Sequence, residues 1–333
     1  MAAQILDGKA VAKEIRQDVA AEVAELKAAG RRVRLVAVLV GQDEAARWYA
    51  NMQARRCESA GIEYELMALP EPTSQAELLG QIRQLNGDTG VSAVILQMPL
   101  PRGIDAAAAQ QAICPGKDAE GVHPENMGRL VTGGGMVAPC TAKAAMELLQ
   151  RACPDLSGKE TVLVGRSTIV GKPMALMLEH VDVSATVTVC HSRTKDLAAH
   201  TRRAEVLVAA TGLSQTRWER YARRKAAGED VELPDLSPLI RPDMVAEGAV
   251  VIDVATNYIP KGFDDEGNPL TDEQGQVLTR TVGDVDFEGV RDKAGAITPV
   301  PGGVGPVTVA MLLSNTLACA KAGEAAASAG GQR

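Results

Sequence analysis

The stretch VLVGRSTIVGKPMALML, residues 162–178, decides the fold of the second half of the chain. An apolar run, a glycine-bounded loop and a second apolar run follow one another, which is typical of a strand, a phosphate-binding loop and a helix. Gly165 suits a tight turn, Gly171 allows a ligand to approach the backbone, and Pro173 is tolerated in a first helical turn. The helix N-terminus then faces a phosphate. The spacing is not the common GxGxxG, so an ordinary tight turn stays an alternative.

The next strand, in ATVTVCHSRT (185–194), indicates which dinucleotide such a loop would bind. An NAD site has a carboxylate at the end of this strand, where it holds the ribose 2′-hydroxyl. This strand ends instead with His191, Ser192 and Arg193. Together with Arg166 these residues suit a 2′-phosphate through charge-assisted hydrogen bonds. We therefore expect NADP, with NAD still possible; a surface ion pair is the alternative role for Arg166.

Apolar runs alternate with helical stretches along nearly the whole chain, which is typical of parallel sheets covered by helices. The first series predicts strands at 34–41, 64–70 and 91–101 with helices at 43–60 and 74–86. A connecting helix with Thr141 as its N-cap follows. The second series predicts strands at 159–165, 185–192, 204–212 and 248–257. The segment 213–247 reads as a charged helix with a loop, and 258–281 as a surface excursion.

Composition excludes several classes of function. The net charge of −7 argues against a nucleic-acid partner. No segment reaches the about 18 apolar residues of a membrane span, and the N-terminus lacks the apolar core of a signal peptide. Six scattered cysteines without a CxxC motif indicate reduced thiols and a cytoplasmic protein, and none of the four histidines is paired as a zinc site requires.

Several motifs together resemble the bifunctional methylenetetrahydrofolate dehydrogenase/methenyltetrahydrofolate cyclohydrolase family, over nearly the whole chain. The motif TPVPGGVGPVTVAML (298–312) is very specific, and GRSTIVGKP (165–173) with HSRT (191–194) is almost as specific. The remaining matching motifs are VGQDEAARWYANMQ (40–53), LQMPLP (96–101), PGKDAEGVHPENMGRL (115–130), PCTAKAAMELL (139–149), VIDVATN (251–257) and VGDVDF (282–287).

The resemblance implies an α/β protein with two α/β domains flanking a cleft, the second a Rossmann-type dinucleotide-binding domain. It also implies a homodimer that acts on one-carbon derivatives of tetrahydrofolate with NADP. We predict a folate domain over 1–145, with a C-terminal helix at 305–322 packing back on it. The Rossmann domain then covers 146–304, and 323–333 is a flexible tail.

The resemblance also implies site residues, each matched to a family motif. The catalytic candidates are Tyr49, Gln53, Gln97, Asp118 and Glu120. The substrate-binding candidates are Tyr49, Leu96, Gln97, Met98, Pro301, Gly302, Gly303, Val304 and Gly305. The cofactor-binding candidates are Gly165, Arg166, Ser167, Gly171, His191, Ser192, Arg193, Gly212 and Thr256. We interpret Cys140, in the PCT motif, as structural because no base adjoins it in the sequence.

Three positions depart from the family pattern. Gln53 stands where the family has its catalytic lysine, Glu120 replaces an aspartate, and Ala255 replaces a glycine. Hydride transfer from the methylene carbon moves no proton. Ring-opening hydrolysis requires a group that accepts a proton, and glutamine cannot accept one. We therefore expect the dehydrogenase to be retained and the cyclohydrolase to be weak or lost.

Several alternatives to this division of activities stay open. The substitutions could be neutral, which leaves the enzyme fully bifunctional. Glu120 could act as the replacement base of a hydrolase. The chain could also be a non-catalytic folate- or dinucleotide-binding paralogue, or act on another one-carbon carrier.

Overall fold

The computed structural model describes residues 3–135, 137–264 and 267–330. The chain forms two compact units. The six-stranded unit contains the described residues of Met1–Lys9 and Ala144–Val307, and the three-stranded unit contains those of Ala10–Lys143 and Thr308–Arg333. Three helices contain the points at which the chain passes from one unit to the other: α1 (Gly8–Ala28), α6 (Cys140–Ala152) and α11 (Val304–Gly330).

The three-stranded unit is built on a parallel sheet with the order β3-β2-β4. Its strands are β2 (Arg34–Val40), β3 (Glu63–Leu69) and β4 (Ala93–Leu96). Its shorter helices are α2 (Glu44–Ser59), α3 (Gln75–Gly87), α4 (Ala106–Ala112), a 3₁₀ turn at Pro115–Lys117, and α5 (Pro124–Thr132). Six of the seven residues of the central strand β2 are buried, as expected for an aliphatic strand covered on both faces.

The predicted third strand is shorter than expected. The apolar run predicts a strand over 91–101, but β4 ends at Leu96. Pro99 and Pro101 have no N–H to give to a neighbouring strand, so the chain leaves the sheet there. Gln97 is the first residue of the loop, and its N–H still bonds to Val38 O at 2.8 Å. This places the Gln97 side chain at the carboxyl end of the sheet.

The six-stranded unit is built on a parallel sheet with the order β1-β11-β8-β7-β5-β6. Its strands are β1 (Gln4–Ile5), β5 (Glu160–Val164), β6 (Thr186–Cys190), β7 (Val206–Ala209), β8 (Val250–Asp253) and β11 (Ala296–Ile297). Its helices are α7 (Gly171–Glu179), α8 (Leu197–Thr201), α9 (Leu213–Ala226), a 3₁₀ turn at Pro242–Met244, and α10 (Phe287–Arg291). Apolar side chains of β5, β7 and β8, such as Val162, Leu207 and Val251, fill its core.

This strand order places a topological switch at β5. The chain passes from β5 through α7 to β6 on one side, and then to β7 on the other side of β5. In open parallel sheets, ligands bind outside the carboxyl ends of the strands at such a point. The loops after β5 and β7 do come close here, since a Cβ on Gly165 would lie 2.4 Å from Ala210 O.

Three further details differ from the sequence analysis. The excursion at 258–281 contains an antiparallel hairpin of β9 (Asn257–Pro260) and β10 (Thr279–Val282). Thr141 does not cap α6, because that helix already begins at Cys140. At the amino terminus, β1 pairs with β11 of the six-stranded unit, whereas the predicted division assigns residues from 1 onward to the first domain.

The C-terminal helix α11 is longer than expected. It continues to Gly330, so most of the predicted flexible tail is helical, and 331–333 lie outside the described residues. Within the described ranges, one helix segment, Val304–Gly323, is long and apolar enough to cross a membrane, where the sequence analysis expects none. However, 61% of its apolar window is buried inside the protein. A single segment of this kind is weak grounds for a membrane span, since buried core helices have the same composition.

Candidate functional site

A cluster of uncharged polar side chains lies inside the three-stranded unit. The Gln97 amide Nε2 donates to Gln53 Oε1 at 2.8 Å, and the Tyr64 hydroxyl donates to the same oxygen at 3.3 Å. Gln53 is 1% exposed and Gln97 is 3% exposed. Gln53, Gln97 and Tyr64 are called the amide cluster below. A buried amide of this kind needs its partners, because an unsatisfied polar group in the interior costs about 1–3 kcal/mol.

Three elements hold the amide cluster in place. Helix α2 starts at an N-cap, Asp43, whose carboxylate accepts the N–H of Ala46 at 2.7 Å. The buried face of α2 then recurs at Ala46, Ala50 and Gln53, which is the spacing of one helical face. Tyr64 comes from the start of β3, and Gln97 is the first residue after β4. Three separate parts of the fold therefore position the three side chains.

Tyr49 and Tyr64 complete the surroundings of Gln53. Tyr49 precedes Gln53 by four residues on α2, so the two share a face, and it is 37% exposed. Burial raises the pKa of the Tyr64 hydroxyl well above its ordinary value, with smaller contributions from Cys57 and Tyr49. Tyr64 is therefore a neutral donor across the physiological range.

Asp118 anchors the loop that follows α4. It is fully buried, and both of its carboxylate oxygens accept protein hydrogen bonds. The bonds come from Gly121 N at 3.1 Å, His123 N at 2.8 Å, Asn126 Nδ2 at 3.0 Å and Gln110 Nε2 at 3.3 Å. This set of partners gives Asp118 a structural task. Its predicted catalytic role therefore stays a prediction.

Glu120, two residues later, is half-buried, and its surroundings change its affinity for a proton. Burial, with a smaller contribution from the charge of Asp118, raises the pKa of Glu120 to about 7. A carboxyl with this pKa exists in both protonation states near neutral pH, which is the requirement for a general acid or base. Glu120 is thus the member of the predicted catalytic set best suited to proton transfer.

Cys140 is enclosed by the same region. Burial, followed by the charge of Glu120, raises the pKa of its thiol far above the ordinary value. Its Sγ lies 3.3 Å from Asn315 Nδ2, and that amide also donates to Ala119 O and Ala138 O, both at 2.9 Å. A neutral buried thiol is a poor nucleophile. These contacts fit the structural interpretation of Cys140.

The remaining substrate-binding candidates lie in different environments. Leu96 is buried in the core of the three-stranded unit, whereas Met98 in the following loop is 52% exposed. Pro301, Gly302, Gly303 and Val304 belong to the six-stranded unit, as does Gly305. Their loop is closed by a 2.8 Å bond from Gly303 N to Pro299 O. A Cβ on Gly8 would lie 1.7 Å from Gly303 O, so this loop packs directly on the first residue of α1.

The predicted cofactor residues meet at the carboxyl edge of the six-stranded sheet. Gly165, Arg166 and Ser167 follow β5, and Gly171 begins α7. His191, Ser192 and Arg193 follow β6, while Gly212 follows β7 and Thr256 follows β8. This set is called the dinucleotide edge below. Arg166, Ser192, Arg193 and Thr256 are exposed there.

The glycine loop itself is tightly closed. A Cβ on Gly171 would lie 2.4 Å from Gly165 O and 2.6 Å from Arg166 Cα, so the backbone leaves no room for a side chain. The Gly171 N–H donates to Ser167 Oγ at 3.3 Å and the Lys172 N–H to Ser167 O at 2.9 Å. The first N–H groups of α7 are therefore used within the loop. A bound phosphate would rely on the exposed Arg166 and neighbouring hydroxyls more than on these groups.

Two local hydrogen bonds form a turn in the segment after β6. Thr194 Oγ1 accepts the His191 N–H at 2.9 Å, and His191 Nδ1 accepts the Arg193 N–H at 3.2 Å. His191 therefore carries its proton on Nε2 when it is neutral. The turn directs two adjacent positions, Ser192 and Arg193, to solvent. Together with Arg166, this donor set fits the phosphate groups of a dinucleotide.

Two buried carboxylates behind the dinucleotide edge carry no role in the sequence analysis. Asp284 Oδ2 accepts Thr211 N at 2.6 Å, Thr211 Oγ1 at 2.7 Å and Gly212 N at 3.3 Å. Asp253 accepts the N–H groups of Ala255, Asp284 and Val285 at 2.8–3.1 Å. Burial and the charge of Asp284 raise the pKa of Asp253 to about 8. The pair ties together the loops after β7 and β8.

Tyr64 is the other functional candidate that the sequence analysis missed. The only available signal is a tyrosine near the start of a strand that follows the Tyr49 helix, in a chain with four tyrosines. The Asp284 signal is stronger, because this residue stands inside the VGDVDF motif. In both cases the partner is more than ten residues away in sequence, so spacing alone does not reveal the contact.

An open parallel sheet with a closed glycine loop at its switch point defines the six-stranded unit as a dinucleotide-binding α/β domain. Two family descriptions match the chain. "Tetrahydrofolate dehydrogenase/cyclohydrolase, catalytic domain" matches residues 6–120, and "Tetrahydrofolate dehydrogenase/cyclohydrolase, NAD(P)-binding domain" matches residues 139–230 and 236–324. The chain therefore belongs to the tetrahydrofolate dehydrogenase/cyclohydrolase family, whose cofactor is NAD(P).

Individual relatives agree over almost the full length. The chain is 45% identical over 321 residues to the bifunctional protein FolD of Moorella thermoacetica, covering 96% of this chain and 100% of that protein. The solved bifunctional enzyme FolD from Campylobacter jejuni has 39% identity and a TM-score of 0.79, with 96% and 99% of the two chains covered. The Trypanosoma brucei enzyme, solved with NADP and an inhibitor, has 35% identity, a TM-score of 0.79 and coverage of 97% and 98%.

Proposed function

We propose that this enzyme transfers a hydride from 5,10-methylenetetrahydrofolate to NADP, giving 5,10-methenyltetrahydrofolate, and has weak or no methenyltetrahydrofolate cyclohydrolase activity. The observation that carries the proposal is Gln53, a buried carboxamide held by Gln97 and Tyr64. By resemblance to the family, this is the position of the catalytic lysine. The amide cluster contains no group that changes charge near neutral pH.

The hydride half of the reaction does not need such a group. NADP, when bound, supplies the acceptor for the hydride. The folate then gains positive charge, and the neutral carboxamide of Gln53 does not oppose that charge as an ammonium would. The protein has to hold the two reactants in position. A buried side chain that is fixed by two hydrogen bonds, such as Gln53, can do this.

The hydrolytic half does need proton transfer. Water that attacks the methenyl carbon must lose a proton, and neither amide of the cluster accepts one. Tyr64 is no substitute base, because its raised pKa keeps it protonated. Loss of a general acid or base typically reduces a rate on the order of 10²–10⁴-fold. This loss is the basis for expecting a weak cyclohydrolase.

Glu120 favours a second candidate function, a fully bifunctional enzyme. The pKa of about 7 suits this carboxyl to take the proton that Gln53 cannot. In that case cyclohydrolase activity would rise with pH through the pKa of Glu120 as the carboxylate forms. Glu120→Gln would then abolish hydrolysis.

Two separate assays on the purified enzyme test the proposal. We expect NADP reduction with methylenetetrahydrofolate, and methenyltetrahydrofolate decay close to the uncatalysed rate. Enzyme-dependent decay that follows a pH limb near 7 and disappears in Glu120→Gln would establish the bifunctional alternative. Binding of NADP without any reduction would instead identify a non-catalytic paralogue.

Cofactor preference, oligomeric state and location form the finer part of the proposal. Arg166 and Arg193 at the dinucleotide edge support NADP over NAD, and the NADP-bound Trypanosoma brucei relative supports the same choice. We further propose a cytoplasmic homodimer, in line with the family resemblance and with six cysteines that are all free. Parallel kinetics with NADP and NAD, and light scattering after size-exclusion chromatography, test the first two points. Fractionation of the producing cells tests the third.

A further inference from the structure

We infer that Tyr64 is a positioning residue for the folate-side site: with Gln97 it fixes the Gln53 carboxamide so that its Nε2 N–H is presented to a hydrogen-bond acceptor on the ligand. The inference rests on the proposed function for the class of ligand, a reduced pterin. It adds a residue outside the predicted site and assigns a direction to the Gln53 side chain.

The carboxamide oxygen of Gln53 is fully occupied by hydrogen bonds from the protein. Oε1 already receives two hydrogen bonds, from Gln97 Nε2 at 2.8 Å and from the Tyr64 hydroxyl at 3.3 Å. A carbonyl oxygen has two lone pairs, so both of its acceptor sites are in use. The ligand therefore cannot use this oxygen without displacing a protein donor.

The carboxamide nitrogen of Gln53 is a buried donor without an acceptor in the described residues. Among the described residues, Gln53 Nε2 has no hydrogen-bond partner, although the atom is buried and the residue is 1% exposed. A buried unsatisfied donor costs about 1–3 kcal/mol, which an acceptor on a ligand would remove. Both protein bonds are made to the oxygen, so an acceptor on a ligand can bond to Nε2 without displacing Gln97 or Tyr64.

The Tyr64 hydroxyl limits the rotation of the Gln53 carboxamide. A single bond from Gln97 leaves the carboxamide free to turn about its last torsion, which is a broad, roughly two-fold rotor. A second donor on the same oxygen disfavours the flipped orientation, since a flip would require Gln97 to turn its own amide and the Tyr64 hydroxyl to change from donor to acceptor. At 3.3 Å the Tyr64 bond is long for an O–H donor, so its contribution is modest.

The place of the ligand follows from the neighbour on the same helix face. Tyr49 lies one turn before Gln53 and is 37% exposed, so a ligand approaching Gln53 from solvent passes this side chain. The acceptor would be a carbonyl oxygen or an unprotonated ring nitrogen, both of which a reduced pterin carries. The hydrogen-bond direction therefore restricts this contact to the acceptor atoms of the pterin and excludes its N–H groups.

A double-mutant cycle tests the inference with Tyr64→Phe and Gln53→Met. Phenylalanine removes only the hydroxyl, and methionine keeps the length of glutamine without donor or acceptor. KM for methylenetetrahydrofolate and the calorimetric Kd for tetrahydrofolate are measured for all four proteins. We expect Tyr64→Phe to raise both constants about 3- to 10-fold with kcat little changed. In the Gln53→Met background the same change should alter them less than two-fold.

An equal effect of Tyr64→Phe in both backgrounds would overturn the inference, because the hydroxyl would then act without Gln53. Constants for Tyr64→Phe within two-fold of wild type would overturn it as well. Tyr221→Phe removes a hydroxyl in the six-stranded unit and serves as the matched control. Since tetrahydrofolate binding needs no turnover, an inactive wild type that still binds would contradict the proposed function and leave the cycle readable.

Gln53→Glu tests the hydrogen-bond direction independently. This variant retains both acceptor bonds of the oxygen and replaces the Nε2 donor by a second acceptor. We expect weaker tetrahydrofolate binding, by about 10-fold, at a pH where the carboxyl is ionised. Tighter binding would mean that the ligand donates to position 53, which would overturn the assigned direction.

Discussion

The amide cluster and the dinucleotide edge are built from opposite materials. Gln53 and Gln97 are almost fully buried and carry no charge. Arg166 and Arg193 at the dinucleotide edge are exposed and cationic. An exposed cation binds an anion weakly through screened charge, whereas a buried amide selects by hydrogen-bond direction and leaves little tolerance for a misfit. The chemistry of this enzyme should therefore be sensitive to single atoms on the folate side and to charge on the dinucleotide side.

The two regions share one structural device beneath this difference. Asp118 beside the folate side and Asp284 behind the dinucleotide edge are both buried, and each accepts two main-chain N–H groups together with side-chain donors. Each carboxylate thus fixes the conformation of a loop. Substitution of the surface residues tests binding, while substitution of these anchors would test the loops themselves.

The largest expected effect is the gain of hydrolysis in Gln53→Lys. Gln97 can turn its amide to offer Oε1 to the new ammonium, and the Tyr64 hydroxyl oxygen can also accept a bond, so the lysine would have partners. Burial should lower the pKa of that lysine and make it a usable base. We expect cyclohydrolase activity to rise on the order of 10²-fold, measured as methenyltetrahydrofolate decay.

Gln53→Met is the control for this gain, since it is similar in length and has no titratable group. It should show no increase in hydrolysis. If Gln53→Lys folds with the wild-type melting temperature and still gives no gain, then position 53 alone does not determine the cyclohydrolase activity. In that case Glu120→Asp, which restores the aspartate of the family pattern, is the next variant to assay.

The second effect isolates the dinucleotide edge. In Gly171→Ala the new methyl would lie 2.4 Å from Gly165 O, so the loop must open. Overpacking of this kind costs about 1–3 kcal/mol, and we expect the Kd for NADP to rise about 10- to 100-fold. The Kd for tetrahydrofolate should stay within two-fold of wild type. Calorimetry with each ligand gives both numbers.

Gly128→Ala is the matched control, because a methyl there meets nothing within 4 Å. It should leave both dissociation constants unchanged. A parallel loss of tetrahydrofolate binding in Gly171→Ala would contradict the separation of the two regions. The change would then have acted on the fold and not on one site.

The third effect concerns the 2′-phosphate. Charge-assisted bonds are worth about 1.5–3 kcal/mol when well formed, and less at an exposed position. We therefore expect Arg193→Ala and Arg166→Ala each to raise KM for NADP about 5- to 10-fold, with KM for NAD little changed. The ratio of the two constants is the measurement. An equal rise for both cofactors would assign the arginine to the shared pyrophosphate, and Arg220→Ala on α9 controls for loss of surface charge.

The sequence was sufficient for the parts of the molecule that depend on local pattern. The glycine loop and the strand before it follow from spacing and apolar runs, and the structure has β5 and α7 where residues 162–178 predict them. The predicted third strand is too long because apolar content extends past Leu96, whereas hydrogen-bonding capacity ends at Pro99. The apolar pattern reflects side chains only, whereas the end of this strand is determined by the missing backbone N–H groups of the prolines.

The contacts of the candidate site depend on pairs far apart in sequence. Gln53 meets Gln97 44 positions away, and Thr211 meets Asp284 73 positions away. No periodicity connects such residues, so the sequence could identify Gln53 only through the family motif and could not identify Tyr64. The proton affinity of Glu120 is hidden for the same reason, because it arises from burial.

The smallest expected effect is on stability, and it concerns Glu120. The folded pKa of about 7 exceeds the ordinary value near 4.5. Below the ordinary value both the folded and unfolded chains hold the proton, so the carboxyl does not disfavour folding. As the pH rises toward 7, the unfolded chain releases the proton first, and the free energy of unfolding falls; above about 7 it levels off. Since Glu120 is only half-buried, we expect a loss on the order of 1–2 kcal/mol.

Glu120→Gln should remove this part of the pH dependence, so that the variant gains on wild type in urea unfolding between pH 5 and about 7.5. Asp253, whose raised pKa gives a slope of the same sign, is present in both proteins and cancels in the difference. The exposed Glu71→Gln is the control for the removal of one carboxylate. A wild-type stability that rises with pH relative to Glu120→Gln would mean that the Glu120 carboxylate is stabilised in the fold. The proton-transfer role of Glu120, and with it the bifunctional alternative, would then lose its physical basis, and the amide cluster would stand alone as a site without a base.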